Sequence, residues 1–172
     1  MASLMENLID VLNKECSEYE VLLELSQRKT PIIVGGDLEK LQQITDEEQL
    51  VVSRIHNLEK KRTEVTADIA NVLNRDVITL KLSNLIDMLA GRPAEQKVLA
   101  EVHDRLQQTV KGLKRVNEQN SELLSNALEM VEFEMNLLQA SKSAPATANY
   151  NRGAYNAGDT MGVISHGFDT KQ

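Results

Sequence analysis

Apolar residues return along most of this chain at alternating steps of three and four, the spacing of one face of an α-helix. Over residues 38–73, Leu41, Ile44, Glu48, Val51, Ile55, Leu58, Arg62, Val65, Ile69 and Val72 keep that spacing without a break. All but Glu48 and Arg62 are aliphatic, so the row reads as a heptad seam with two charged layers. Residues 3–28 repeat the pattern with Met5, Ile9, Leu12, Cys16, Tyr19, Leu23 and Ser26. A second, interrupted face of that stretch carries Leu4, Leu8, Val11, Leu22 and Leu25, so the first helix has apolar surface on two sides.

Leu80, Leu82, Leu85, Ile86 and Leu89 predict a short helix over 79–90, with Thr79 or Asp76 as its cap. Gly91-Arg92-Pro93 closes it and sets Pro93 at the start of the next helix. Residues 93–140 then form one long final helix. Leu99, Val102, Leu106, Val110, Leu113, Asn117, Asn120, Leu124, Ala127, Val131, Met135 and Leu138 line it, and Gly112 is a weak point inside it. Between the first two helices, Thr30-Pro31 interrupts the pattern, so residues 31–34 are a short helical restart or a kink. Gly35-Gly36-Asp37 follows as a bend with Asp37 as candidate N-cap. The pattern predicts an all-α fold: an antiparallel bundle or coiled coil of three long helices plus one short helix.

The end of the final helix departs from the one-faced pattern. Leu124, Ala127, Leu128, Val131, Met135 and Leu138 form one stripe, and Leu123, Met130, Phe133 and Leu137 form another. A helix in a bundle needs one apolar stripe of roughly 100°. The second stripe requires a further cover: another helix of this chain, a copy of it, or a different protein.

Composition supports the helical reading and narrows the function. The 172 residues suffice for one domain with a core, aromatics are 3%, and Trp is absent. The net charge of −7 argues against a nucleic-acid binder, which needs a clustered basic surface. Acid is concentrated in the first helix, where Glu6, Asp10, Glu15, Glu18, Glu20 and Glu24 face Lys14 alone, as a solvated helix face would. Cys16, the single cysteine, lies on an apolar stripe and reads as a buried thiol. No leader and no run of about 18 apolar residues is present, so a cytoplasmic location is expected. Beyond Ala140 the composition turns to Ser, Ala, Pro, Thr, Asn and Gly, which predicts a helical domain over 1–140 and a flexible tail over 141–172. Tyr150, Tyr155, Met161, Val163, Ile164 and Phe168 are scattered apolar points in that tail, either partner anchors or spacer.

Catalytic chemistry is not expected. His56, His103 and His166 are far apart without partners at ligand spacing, and neither metal nor nucleotide motifs occur. No cofactor is implied. Asn117 and Asn120 carry more information, being three apart on the apolar stripe of the last helix. They form either a buried polar layer that fixes register, as a single Asn does in a coiled coil, or a polar notch for a partner's backbone.

These residues resemble a known family. Gly36-Asp37-Leu38-Glu39-Lys40-Leu41, followed by Thr45-Asp46-Glu47-Glu48, is similar to the opening of the second helix in FlgN-type flagellar export chaperones. Leu58-Glu59-Lys60-Lys61-Arg62 resembles a turn within that helix, and Asn117-Glu118-Gln119-Asn120-Ser121-Glu122-Leu123-Leu124 a segment of the last one. Tyr155-Asn156-Ala157-Gly158 is similar to a tail element of the family with one residue fewer between Tyr and Gly. Phe168-Asp169-Thr170-Lys171 resembles the family's ending, with Gln172 closing the chain here. The likeness spans nearly the whole length and rests on the order of these motifs.

The resemblance implies a cytoplasmic chaperone of the flagellar type III secretion system. It would bind the C-terminal helical region of the hook–filament junction proteins, hook-associated proteins 1 and 3, prevent their premature assembly, and deliver them to the export gate and its ATPase complex. Asn117, Asn120, Leu123, Leu124, Met130, Phe133 and Leu137 are then the expected cargo-binding residues. Tyr155, or Tyr150 in its place, is the expected docking residue at the gate. A homo-oligomeric coiled-coil structural or adaptor protein is the alternative, and a homodimer of the unladen chaperone is compatible with either.

Overall fold

The computed structural model describes residues 2–143, which form four α-helices: α1 (Ala2–Gly35), α2 (Leu38–Val72), α3 (Leu82–Met88) and α4 (Pro93–Ser143). A 3₁₀ turn at Leu89–Gly91 extends α3. Among the described residues there are no strands. The fold is all-α, with three long helices and one short one as the pattern predicts. By internal packing the chain divides into two units, Met1–Ala127 and Leu128–Gln172.

In the first unit, α1 and α2 form an antiparallel hairpin, seen in the pairing of Lys29 with Glu48, Glu18 with Arg54 and Glu15 with Arg62. The first part of α4 lies parallel to α1, which Glu20–Arg105 and Ser26–Asn120 establish. α1 therefore meets both other long helices, and its two apolar faces are both used: Leu8, Leu12, Leu22 and Leu25 are all buried.

Pro31 lies within α1, which continues to Gly35 without a break. A proline in the last turns forfeits one intrahelical hydrogen bond and crowds the carbonyl four residues back. The hairpin turn is made by Gly36, whose φ of 67° is open to glycine at no steric cost. Its N–H donates to Ile33 O at 3.2 Å. Asp37 then caps α2, its carboxylate accepting from the Lys40 N–H at 3.1 Å. At the far end of α2, Asn74 takes a left-handed conformation (φ 52°). Asn74 N–H donates to Asn71 O and Arg75 N–H to Ala70 O, a Schellman ending with Asn in glycine's usual place.

α3 begins three residues later than predicted and takes Lys81 as N-cap, without a side-chain cap bond. Asp76 instead accepts from Ile78 N–H within the loop, and Thr79 donates its hydroxyl to Asp76 O. Neither predicted cap reaches the helix because both are consumed by the turn that precedes it.

The seam of α2 is buried or half-buried from Leu41 to Ile69, and Leu73 rather than Val72 packs at its end. The seam of α4 follows a different row from the predicted one. Leu99, Val102, Leu106, Thr109, Leu113, Val116 and Asn120 face inward, whereas Val110 and Asn117 are exposed. Thr109 fits an apolar seam because its hydroxyl donates to the Arg105 carbonyl at 2.9 Å within its own helix.

These seams build two apolar cores. One joins Met5, Leu8 and Leu12 to Ile69, Ala70, Leu85, Leu99 and Val102, with α3 closing that end. The other joins Leu22 and Leu25 to Ile44, Val51, Ile55 and Leu113. A polar belt separates them. Glu15 is fully buried and accepts from Arg62 Nη1 at 3.0 Å, Tyr19 donates to Glu59 at 2.8 Å, and Glu20 holds Arg105 through two bonds of 2.7 and 2.6 Å. Cys16 is buried in this belt, as its place on the stripe predicts.

Candidate functional site

The second unit's described part is the last stretch of α4, Leu128–Ser143, and every residue of it is exposed. Leu128, Met130, Val131, Phe133, Met135, Leu137 and Leu138 are each between 52% and 66% exposed. Large apolar side chains in this number normally mark an interaction surface, because monomeric proteins rarely leave contiguous apolar patches in water. Helical geometry sets their arrangement. At about 100° per residue, these seven side chains occupy an arc of roughly 220°. Leu128, Val131, Met135 and Leu138 form one stripe of it; Met130, Phe133 and Leu137 form the other.

Local chemistry explains why a helix stands here at all. Residues 128–143 are rich in Leu, Met, Glu, Gln and Ala, the strongest helix formers. Ser141 and Ser143 donate their hydroxyls to carbonyls of the last turn, at Leu138 and Gln139. No proline or glycine interrupts the segment. Its apolar faces are thus held in register by the backbone and not by packing.

The other expected cargo residues lie in the first unit and divide among themselves. Leu123 and Leu124 are half-buried, and Asn117 is exposed. Asn120 is buried, and both halves of its amide are occupied. Its Nδ2 donates to the Ser26 carbonyl at 2.8 Å, and its Oδ1 accepts the Thr30 hydroxyl at 2.6 Å. Beside it, Ser26 and Lys29 donate to the Glu48 carboxylate at 3.1 and 2.8 Å. This is a polar layer that ties α1 to both α2 and α4. It is the register-fixing arrangement for Asn120, while Asn117 stands outside it. Tyr150 and Tyr155 lie outside the described residues.

Polar groups that pattern alone does not single out are in the belt. Burial pushes the Glu15 carboxyl up from its ordinary value, with Glu59 adding to the rise and Arg62 opposing it. Burial, reinforced by the bond to Glu59, pushes the Tyr19 phenol up to about 12. The Arg105 hydrogen bonds hold the Glu20 carboxyl below its ordinary value. Burial raises the Cys16 thiol, which keeps it protonated and unreactive at neutral pH. No group of three or more His, Cys, Asp or Glu residues among those described is placed to hold a metal ion. Glu15, Tyr19 and Glu20 each bond a residue of another helix, with Glu15 Oε1 left buried without a hydrogen-bond partner, so the belt ties the helices together and the exposed end of α4 is the candidate site.

The motifs that carried the family resemblance also find structural roles. Gly36 and Asp37 make the hairpin turn, Glu48 and Arg62 are the charged layers of the α2 seam, Glu59 receives Tyr19, and Asn120 ties α4 to α1. No helix among the described residues is long and apolar enough to cross a membrane.

Comparison with known proteins agrees with this framework. The Bacillus subtilis (strain 168) protein named "Uncharacterized protein YvyG" is 28% identical over 144 residues, a stretch covering 84% of this chain and 83% of that protein. No solved structure matches the chain. The family model described as "FlgN protein" matches residues 1–157, spanning all four helices. The chain belongs to the FlgN family, a family of flagellar export chaperones.

Proposed function

We propose that this protein acts in the cytoplasm as the chaperone of the hook–filament junction proteins, hook-associated proteins 1 and 3. It binds their C-terminal helical regions, keeps them from assembling early, and hands them to the export gate. The observation that carries this reading is the doubly apolar, exposed end of α4 in a chain of this family. A junction protein's assembly helices are adhesive, and an amphipathic helix laid against an apolar one gives them a temporary cover. Met130, Phe133 and Leu137 supply the contact in this reading, with Leu128, Val131, Met135 and Leu138 beside them. Leu123, Leu124 and Asn117 belong to the same helix and extend the proposed contact toward its start. Asn120 is assigned to register and not to cargo, because its own chain satisfies it.

Burying a Leu or Phe here contributes about 1.5–3 kcal/mol of transfer free energy, before the cost of association. Methionines at 130 and 135 suit a surface that repacks around more than one cargo. No catalytic group takes part. Docking at the gate is assigned to the tail, to Tyr155 or to Tyr150.

The deciding experiment is co-expression and pull-down with junction-protein C-terminal segments. Phe133→Asp is expected to abolish capture while circular dichroism shows unchanged helix content. Unchanged capture by that folded variant would overturn the assignment of this face.

A further inference from the structure

The three carboxylates of Leu128–Leu138 are not placed at random around the helix. Taking about 100° per residue, Glu134 falls between the two apolar stripes, roughly 40° from the edge of each. Glu132 borders the outer edge of the stripe made by Leu128, Val131, Met135 and Leu138. Glu129 borders the outer edge of the stripe made by Met130, Phe133 and Leu137. Each stripe thus has a carboxylate on both flanks. All three acids are exposed, and none has a salt-bridge partner among the described residues. No Lys or Arg occurs between Leu128 and Lys142.

Charges that flank an apolar stripe are the ones that choose partners in helix–helix pairing. Opposite charges on the facing flanks favour a pair, and like charges disfavour it. A second copy of this segment would bring acid against acid along both edges, whether the helices ran parallel or antiparallel. We infer that the end of α4 is built to take an amphipathic helix whose apolar stripe is bordered by Lys or Arg, and to reject a second copy of itself. This deepens the proposed function and rests on it: the chemistry selected is that of the cargo's edge residues, while the apolar stripes supply the contact.

The test uses the full chain and two designed helical peptides with the same apolar stripe, one flanked by Lys and the other by Glu. Isothermal titration at low salt is expected to show the Lys-flanked peptide binding on the order of tenfold tighter. Raising the salt shrinks that preference. In the variant carrying E129K, E132K and E134K together, with helix content checked by circular dichroism, the preference is expected to invert. Equal binding of the two peptides, or a preference that the charge reversal leaves unchanged, would overturn the inference. So would sedimentation showing that the wild-type chain forms a dimer that Phe133→Asp dissolves. A junction segment captured by the wild type and lost in Phe133→Asp, with no response to charge reversal, would remove this inference and leave the chaperone reading standing. Capture indifferent to Phe133→Asp would remove that reading instead.

Discussion

The Asn120 amide closes two hydrogen bonds to α1 from a buried position, so its loss leaves the Thr30 hydroxyl without its nearest acceptor. Asn120→Ala is expected to lower stability by about 1–3 kcal/mol, the cost of breaking buried polar pairing, as read by urea unfolding. Cargo capture by the folded variant is expected to stay at the wild-type level; a loss of capture without a loss of stability would return Asn120 to the cargo surface. Glu15 gives a prediction in pH. Its folded-state value is raised above the ordinary 4.5, chiefly by burial. Its contribution is therefore most favourable where it is protonated, and is lost as pH rises through the folded value. Glu15→Gln cannot titrate, so thermal melts should show the wild type gaining on the variant as the pH falls from neutral toward 4.5. Little of this was legible in the residues alone. The partners Glu15 and Arg62, or Glu20 and Arg105, lie on different helices, and which charges meet depends on how those helices are laid together.

Helices were legible wherever aliphatic residues carry the seam, as along α2. The seam of α4 was harder because Thr109 competes with Val110 and Val116 with Asn117 for the inward row. Apolarity alone favours Val110. Thr109 is nonetheless the buried one, because its hydroxyl is satisfied by the Arg105 carbonyl of its own helix and so can be taken out of water. α1 runs past the residue 28 its pattern predicts, to Gly35, for a related reason: a proline near a helix end costs less than one at the centre when packing holds both sides of it. Gly112 lies within this same helical scale. A Cβ built there would sit 3.6 Å from the nearest Leu23 side-chain atom, an ordinary contact. Gly112→Ala is expected to raise stability by up to about 1 kcal/mol, the helix-propensity difference, in the same urea measurement.

At the scale of the whole molecule, the two units divide the work. Met1–Ala127 owns both apolar cores and the polar layers; the described residues of the second unit own the exposed apolar arc. The bundle was readable because a packed core writes its periodicity into the chain. The arc was readable as a surplus of apolar positions, but in the proposed reading what it faces belongs to a second molecule and leaves no repeat of its own. A chain ending at Ser143 is expected to keep cargo capture and to lose docking at the export gate, checked by pull-down with each partner separately. Retained docking would move that role away from Tyr150 and Tyr155.

The belt of Glu15, Tyr19, Glu20, Glu59, Arg62 and Arg105 has a further consequence for how the bundle comes apart. Two apolar cores with a band of ion pairs and buried polar groups between them need not melt with the same ease. If the Leu22–Leu113 core loosens first, the ion pairs of the belt can be hydrated where they stand while the Leu8–Leu99 core is still closed. Such a bundle is expected to open one core ahead of the other, which amide hydrogen exchange would show as two separate levels of protection.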